Sequence, residues 1–235
     1  MRIAITRPAE DAAPLKRKLE ALRHMVLTAP LMDIVPRQHA VIPDRPWQAL
    51  AATSANGIRA LANPERFAKI PTLTVGPQSL KAALSAGLPA EAHGGDVNGL
   101  ATYISTKLDP TAGPVLYLSG AETAGDLEAQ LKNAGFDCTR VILYDAVPAD
   151  TLGDLAAALR NRAVDAVLLY SPRTARIWMK LVKQEQLGAD AAIPAYLCLS
   201  RNVAAVLPES WDIHVAETPD EHAILALLEQ LARTR

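Results

Sequence analysis

The chain has 235 residues, enough for one large domain or two of about 110 residues each. Half of them are hydrophobic, 21% are charged and the formal net charge is −1. That composition suits a globular protein and excludes a global field for nucleic acid or an anionic membrane.

The opening Met1–Thr6 reads as a strand, not as the apolar core of a secretory signal, and no 18-residue apolar run follows. The expected place is therefore the cytoplasm, with Cys138 and Cys198 as reduced core residues. The five histidines show no metal-ligand spacing, and neither a G-x-G-x-x-G turn, a Walker loop nor a G-x-S-x-G elbow occurs. Metal ligation by these histidines is not expected, and the standard enzyme constellations are missing.

In chain order, a strand over Arg2–Thr6 leads through Thr6-Arg7-Pro8 into an amphipathic helix carrying Leu15 and Leu19. A strand over Val26–Ile34 ends at Val35-Pro36, and the Pro-rich stretch Pro36–Pro46 reads as a linker. Strands follow over Ala49–Thr53 and Thr72–Val75, with turns at Thr53–Gly57 and Val75–Ser79. Asp96 is placed to cap the next helix. Strands over Val115–Ser119 and Asp137–Ala146 end at Val147-Pro148, and Pro148–Gly153 is the second linker. Strands over Ala166–Tyr170 and Ala195–Leu199 lead into the turns Tyr170–Thr174 and Leu199–Asn202, and Asp220 caps the last helix. Short strands alternating with helices, about four per half, indicate parallel sheets of the α/β class.

A repeat underlies this order. Shifted by about 112, residues 3–36 fall on 115–148: Ala9-Glu10 on Ala121-Glu122, Leu15 and Leu19 on Leu127 and Leu131, Asp33 on Asp145, Val35-Pro36 on Val147-Pro148. A shift of about 117 puts Ser54 on Ser171 and Arg59 on Arg176; one of about 124 puts Leu73 on Leu197 and Asp96 on Asp220. Two layouts satisfy the spacing. Either the repeats are domains in series, or the chain leaves the first domain at Pro36 and returns at Pro148.

Ligands of open parallel sheets bind beyond the carboxyl ends of the strands, where helix starts present free N–H groups. The turns at those ends hold Thr6, Arg7, Ser54, Asn56, Ser79, Ser171, Arg173 and Asn202. Helix capping accounts for any one turn by itself. Five gathered at sheet edges favour a small-molecule site. Tyr144 stands near a strand end where the repeat has Met32, so the symmetry breaks there, as a single reacting centre requires. A Tyr packed at an interface is the competing account.

The opening Thr-Arg-Pro, the Thr53-Ser54-Ala55-Asn56 turn, Val75-Gly76, the strand ending in Tyr144 and Ser171-Pro172-Arg173-Thr174-Ala175 together resemble the uroporphyrinogen-III synthase family over essentially the whole chain. The resemblance implies two flavodoxin-like α/β domains joined by two connectors, 1–35 with 148–235 and 36–147. It implies a lyase that cyclises linear hydroxymethylbilane to uroporphyrinogen III in a cleft between them, with loss of water and inversion of the last ring. Tyr144 would assist departure of the hydroxyl, and Thr6, Arg7, Ser54, Asn56, Ser79, Ser171, Arg173 and Asn202 would hold the substrate. The resemblance implies no metal or organic cofactor. No oligomerisation stripe is visible, so a monomer is expected, with transient contact to the preceding pathway enzyme. Where many relatives have Arg-Gly, this chain has Ser119-Gly120. The alternative is a non-catalytic two-domain protein that closes on a small anion.

Overall fold

The computed structural model describes residues 1–123 and 125–234. Strand β1 (Arg2–Ile5) leads into helix α1 (Ala9–Ala21), β2 (Met25–Thr28) and β3 (Met32–Pro36). Next come β4 (Ala49–Ala52), α2 (Ala55–Arg59), a 3₁₀ turn at Pro64–Phe67, β5 (Thr72–Thr74), α3 (Pro77–Ser85), β6 (Ala90–Ala92) and α4 (Val97–Lys107). β7 (Val115–Gly120), α5 (Leu127–Asn133) and the long β8 (Cys138–Pro148) follow. The last third holds α6 (Asp154–Arg160), β9 (Ala166–Leu169), α7 (Pro172–Gln184), α8 (Gly188–Ala191), β10 (Ala195–Cys198), α9 (Arg201–Ala204), β11 (Ile213–Val215) and α10 (Glu221–Thr234).

These elements form two compact units, Met1–Asp33 with Val147–Arg235, and Ile34–Ala146. The first is built on a parallel sheet of order β11-β10-β9-β1-β2. The second has the order β6-β5-β4-β7-β8, also parallel, with β3 added beside β8. Matching β1 with β7, β2 with β8, and β9–β11 with β4–β6 makes the two orders identical. Each reads 2-1-3-4-5, the flavodoxin-like arrangement. Registers match as well: Ile5 faces Thr28 and Tyr117 faces Arg140, pairs related by the same shift of about 112. Leaving β3 aside, each sheet therefore takes two strands from one repeat and three from the other.

Alternation along the strands fills both faces of each sheet. In the first unit, Ile3, Ile5, Leu168 and Leu197 pack on α1 and α10 through Leu15, Leu19, Ile224 and Leu228. Val167, Leu169 and Tyr196 pack the opposite face on α6 and α7 through Leu155, Leu159, Trp178 and Leu181. In the second unit, Leu73, Val115, Tyr117 and Cys138 meet α4 and α5, while Leu50, Leu116, Leu118, Val141 and Leu143 meet α2 and α3. Each fully buried Leu contributes about 1.5–3 kcal/mol relative to exposure. Burial pushes both thiols, Cys138 and Cys198, up to about 12 and keeps them protonated at neutral pH. No described helix is long and apolar enough to cross a membrane.

Three features bear on the sequence expectation. The single strand expected over Val26–Ile34 is two, β2 and β3, interrupted at Pro30, which has no N–H to give a ladder. The sheets hold five and six strands rather than about four: β3 joins the second sheet, and β6 and β11 are three-residue edge strands, only half-buried, that write no apolar run. Helix capping at Asp96 and Asp220 is as expected: their carboxylates accept from Gly99 N (2.9 Å) and Ala223 N (2.9 Å).

Helix α2 lies so close to β7 that a Cβ on Gly57 would stand 2.6 Å from the carbonyl oxygen of Leu118. Backbone cannot yield there as a flexible side chain would. Gly57→Ala should therefore destabilise the protein by about 1–3 kcal/mol, read as a lower urea midpoint at unchanged m-value.

Candidate active site

In a 2-1-3-4-5 sheet the order reverses between strands 1 and 3, and their carboxyl ends flank a natural binding crevice. That point lies between β1 and β9 in the first unit and between β7 and β4 in the second. The candidate residues gather at these edges, each unit with its own set.

In the first unit, Thr6 is fully buried and its hydroxyl donates to the Leu168 carbonyl (2.7 Å), tying β1 to β9. The Arg7 guanidinium lies 4.5 Å from the centre of the Tyr170 ring. It pairs with Glu221 (3.1 Å) and Asp11 (3.7 Å), all three side chains being at most 20% exposed. Two carboxylates thus already balance its charge, and burial raises the Tyr170 phenol well above its ordinary range. Ser171 caps α7, its oxygen accepting from Thr174 N (3.0 Å) and sharing a hydrogen bond with the Thr174 hydroxyl (2.8 Å). Arg173 is partly buried on the first turn of α7, and Asn202 is exposed on the first turn of α9.

In the second unit, Ser54 caps α2 by accepting from Asn56 N (3.2 Å). Asn56 is buried, and its carboxamide oxygen accepts from Arg59 (2.9 Å). Ser79 is buried on the first turn of α3. Capping therefore engages the side-chain oxygens of Ser54 and Ser171, as it would in any helix start, and leaves other groups at these edges for a ligand.

Tyr144 is placed differently. The β7–β8 ladder carries an irregularity, Ser119 facing Ile142 but Gly120 facing Tyr144, so that β8 holds one extra residue. The Tyr144 ring then lies directly on Gly120: a Cβ there would be 2.6 Å from Cζ and 2.9 Å from the hydroxyl oxygen. Only glycine permits that approach. Tyr144 is 7% exposed, and its hydroxyl makes no hydrogen bond to any described residue.

Sequence reasoning did not single out Arg140 or Tyr117 beside it. Arg140 donates from Nε to the Ser119 hydroxyl (2.8 Å) and from Nη2 to the carbonyls of Gly120 and Ala121 (2.8 Å each). Thr53 and the Tyr117 phenol share a hydrogen bond of 3.1 Å across the β4–β7 switch point. Burial raises the Tyr117 phenol, while Thr53 and the Arg140 charge pull it back. The repeat could have flagged Arg140, because the same shift sets it against Thr28. Among the described residues no group of three or more His, Cys, Asp and Glu side chains is placed to hold a metal ion.

The sequence profile described as uroporphyrinogen-III synthase HemD matches residues 13–226. The chain belongs to the uroporphyrinogen-III synthase family. Its activity is that of the family, a lyase of tetrapyrrole biosynthesis. Among solved structures, a uroporphyrinogen-III synthetase from Helicobacter pylori is 16% identical at TM-score 0.65, covering 98% of this chain and 100% of its own. A mutant uroporphyrinogen III synthase from Thermus thermophilus is 19% identical at TM-score 0.56, with both chains covered completely. At those identities the likeness concerns the fold. No curated protein matches.

For this synthase-family chain the Gly120 contact generates a test. Gly120→Ala should push the Tyr144 ring aside and lower turnover by about 100-fold, with circular dichroism unchanged. Wild-type turnover in the variant would show that the ring's position is unimportant.

Proposed function

We propose that the protein, a cytoplasmic monomer, cyclises hydroxymethylbilane to uroporphyrinogen III with Tyr144 as the proton donor to the departing hydroxyl. One observation carries this role. Tyr144 is the tyrosine at the switch-point edge of the second unit whose phenol has no partner among the described residues, and Gly120 fixes its ring. A phenol already engaged, such as Tyr117 with Thr53 or Tyr196 with the Ala191 carbonyl, would have to break a bond first.

The substrate brings its own carbon nucleophiles, so the protein's work is orientation and one proton. Donation from Tyr144 turns the leaving hydroxyl into water. The last pyrrole ring then inverts through a spiro intermediate, closure follows, and the pyrrole proton released restores the phenol. Free N–H groups at the helix starts after β4, β5, β9 and β10 would hold carboxylates without a basic surface, in keeping with a net charge of −1. Holding the ends together in one geometry supplies up to about 7–11 kcal/mol of the barrier. Ser54, Asn56, Ser79, Ser171, Arg173 and Asn202 would take part through the turns they stabilise. Arg7 would first have to give up Glu221 or Asp11.

The test is cyclisation of enzymatically generated hydroxymethylbilane, the isomers being separated after oxidation. Type III product is expected; type I alone, as without protein, would overturn the assignment. Tyr144→Phe should lower turnover by about 10–1000-fold with the thermal midpoint kept, and unchanged turnover would return Tyr144 to a packing role.

A further inference from the structure

The two switch points are built from the same repeat, yet their charges are arranged oppositely. In the first unit the cation is Arg7, after β1, and the position across the ladder on β2 is the hydroxyl residue Thr28. The shift of about 112 carries Arg7 onto Ser119 and Thr28 onto Arg140. Arginine and hydroxyl have changed strands. The cation at each crevice is kept.

Its neutralisation is not kept. Arg7 is balanced by Asp11 and Glu221. Their counterparts under the shifts of about 112 and 124 are Thr123 and Val97, both uncharged. Arg140 makes no ion pair with any described carboxylate, although it is partly buried. Three of its five N–H groups are used on Ser119, Gly120 and Ala121, all neutral acceptors. The two on Nη1 have no protein partner among the described residues. A partly desolvated guanidinium held rigidly through Nε and Nη2 keeps its full charge and two N–H donors on Nη1, to which a carboxylate oxygen can accept.

We propose that Arg140 is an anion-binding residue, its Nη1 edge receiving one carboxylate of the substrate beside Tyr144. Both side chains use Gly120 as their platform: Arg140 holds its carbonyl, and the Tyr144 ring lies on its Cα. A carboxylate on Arg140 therefore fixes the substrate in register with the phenol. The idea rests on the proposed reaction for the identity of the anion, and on the geometry alone for the presence of an anion site.

The competing account is that Arg140 only ties down the end of β7, and three variants separate the two. Arg140→Met removes both charge and clamp, Arg140→Lys keeps the charge, and Ser119→Ala removes one clamp bond. The probe is uroporphyrin III, an octacarboxylate, titrated by fluorescence at several salt concentrations alongside KM and kcat for hydroxymethylbilane. The proposal expects Arg140→Met to weaken probe binding and raise KM by about 10–100-fold and to flatten the salt dependence. Arg140→Lys should recover much of the binding, and Ser119→Ala should leave it within about threefold. Equal probe affinity and salt slope in wild type and Arg140→Met, with only the thermal midpoint lowered, would overturn it. So would equal losses in Arg140→Met and Arg140→Lys. If wild type binds the probe through Arg140 but forms no type III isomer, the anion site stands and the assigned reaction fails.

Discussion

The extra residue of β8 opposite the end of β7 decides where Tyr144 lies in the second unit. Up to Ser119 and Ile142 the two strands run in step; one position later the ladder has slipped, and Gly120 faces Tyr144. In an unslipped ladder Gly120 would face Leu143, and the phenol would lie one strand step, about 3.3 Å, further on. The slip brings the phenol back over the one residue without a side chain. Arg140, reaching from the same strand to the carbonyls of Gly120 and Ala121, holds that slipped end in place.

Around this point the molecule departs from its own symmetry. Sheet order and strand register are shared by the two units, since both come from the same alternation of apolar residues. The polar groups at the switch points are not shared. One crevice is sealed by a cation, a tyrosine face and two carboxylates. The other presents a cation held only by neutral acceptors, Ser119, Gly120 and Ala121, and a phenol with no hydrogen bond to a described residue. The two scaffolds are equivalent in strand order, and the residues at their switch points are what distinguish them.

Much of the fold was legible because parallel sheets buried on both faces write their strands as short apolar runs between turns, as at Ala49–Ala52 and Ala166–Leu169. The edge strands β6 and β11 were not legible: each is three half-buried residues, whereas the equally short β5 is fully buried. At the site, Tyr144 stood out by breaking the repeat. Its setting on Gly120 did not, because the slipped ladder depends on a cross-strand register that no local pattern records. Thr6 and Ser54 were readable as strand-end residues, whereas their engagement with Leu168 and Asn56 emerges only from the packed structure. Arg140 was hidden by its place in mid-strand, where a long side chain passes for an ordinary surface residue.

The exchange of strands between repeats also shapes how the chain is made. All of the second unit lies between Ile34 and Ala146, so it is complete once that stretch has left the ribosome. The first unit is not: β1 must wait for β9, its second neighbour in the sheet, which begins 138 residues after Thr28. At typical synthesis rates that is a delay of roughly 7–27 seconds. Through that interval Ile3 and Ile5 have only Leu15 and Leu19 to pack against, and the surface that Leu168, Leu197, Ile224 and Leu228 will cover stays open to water.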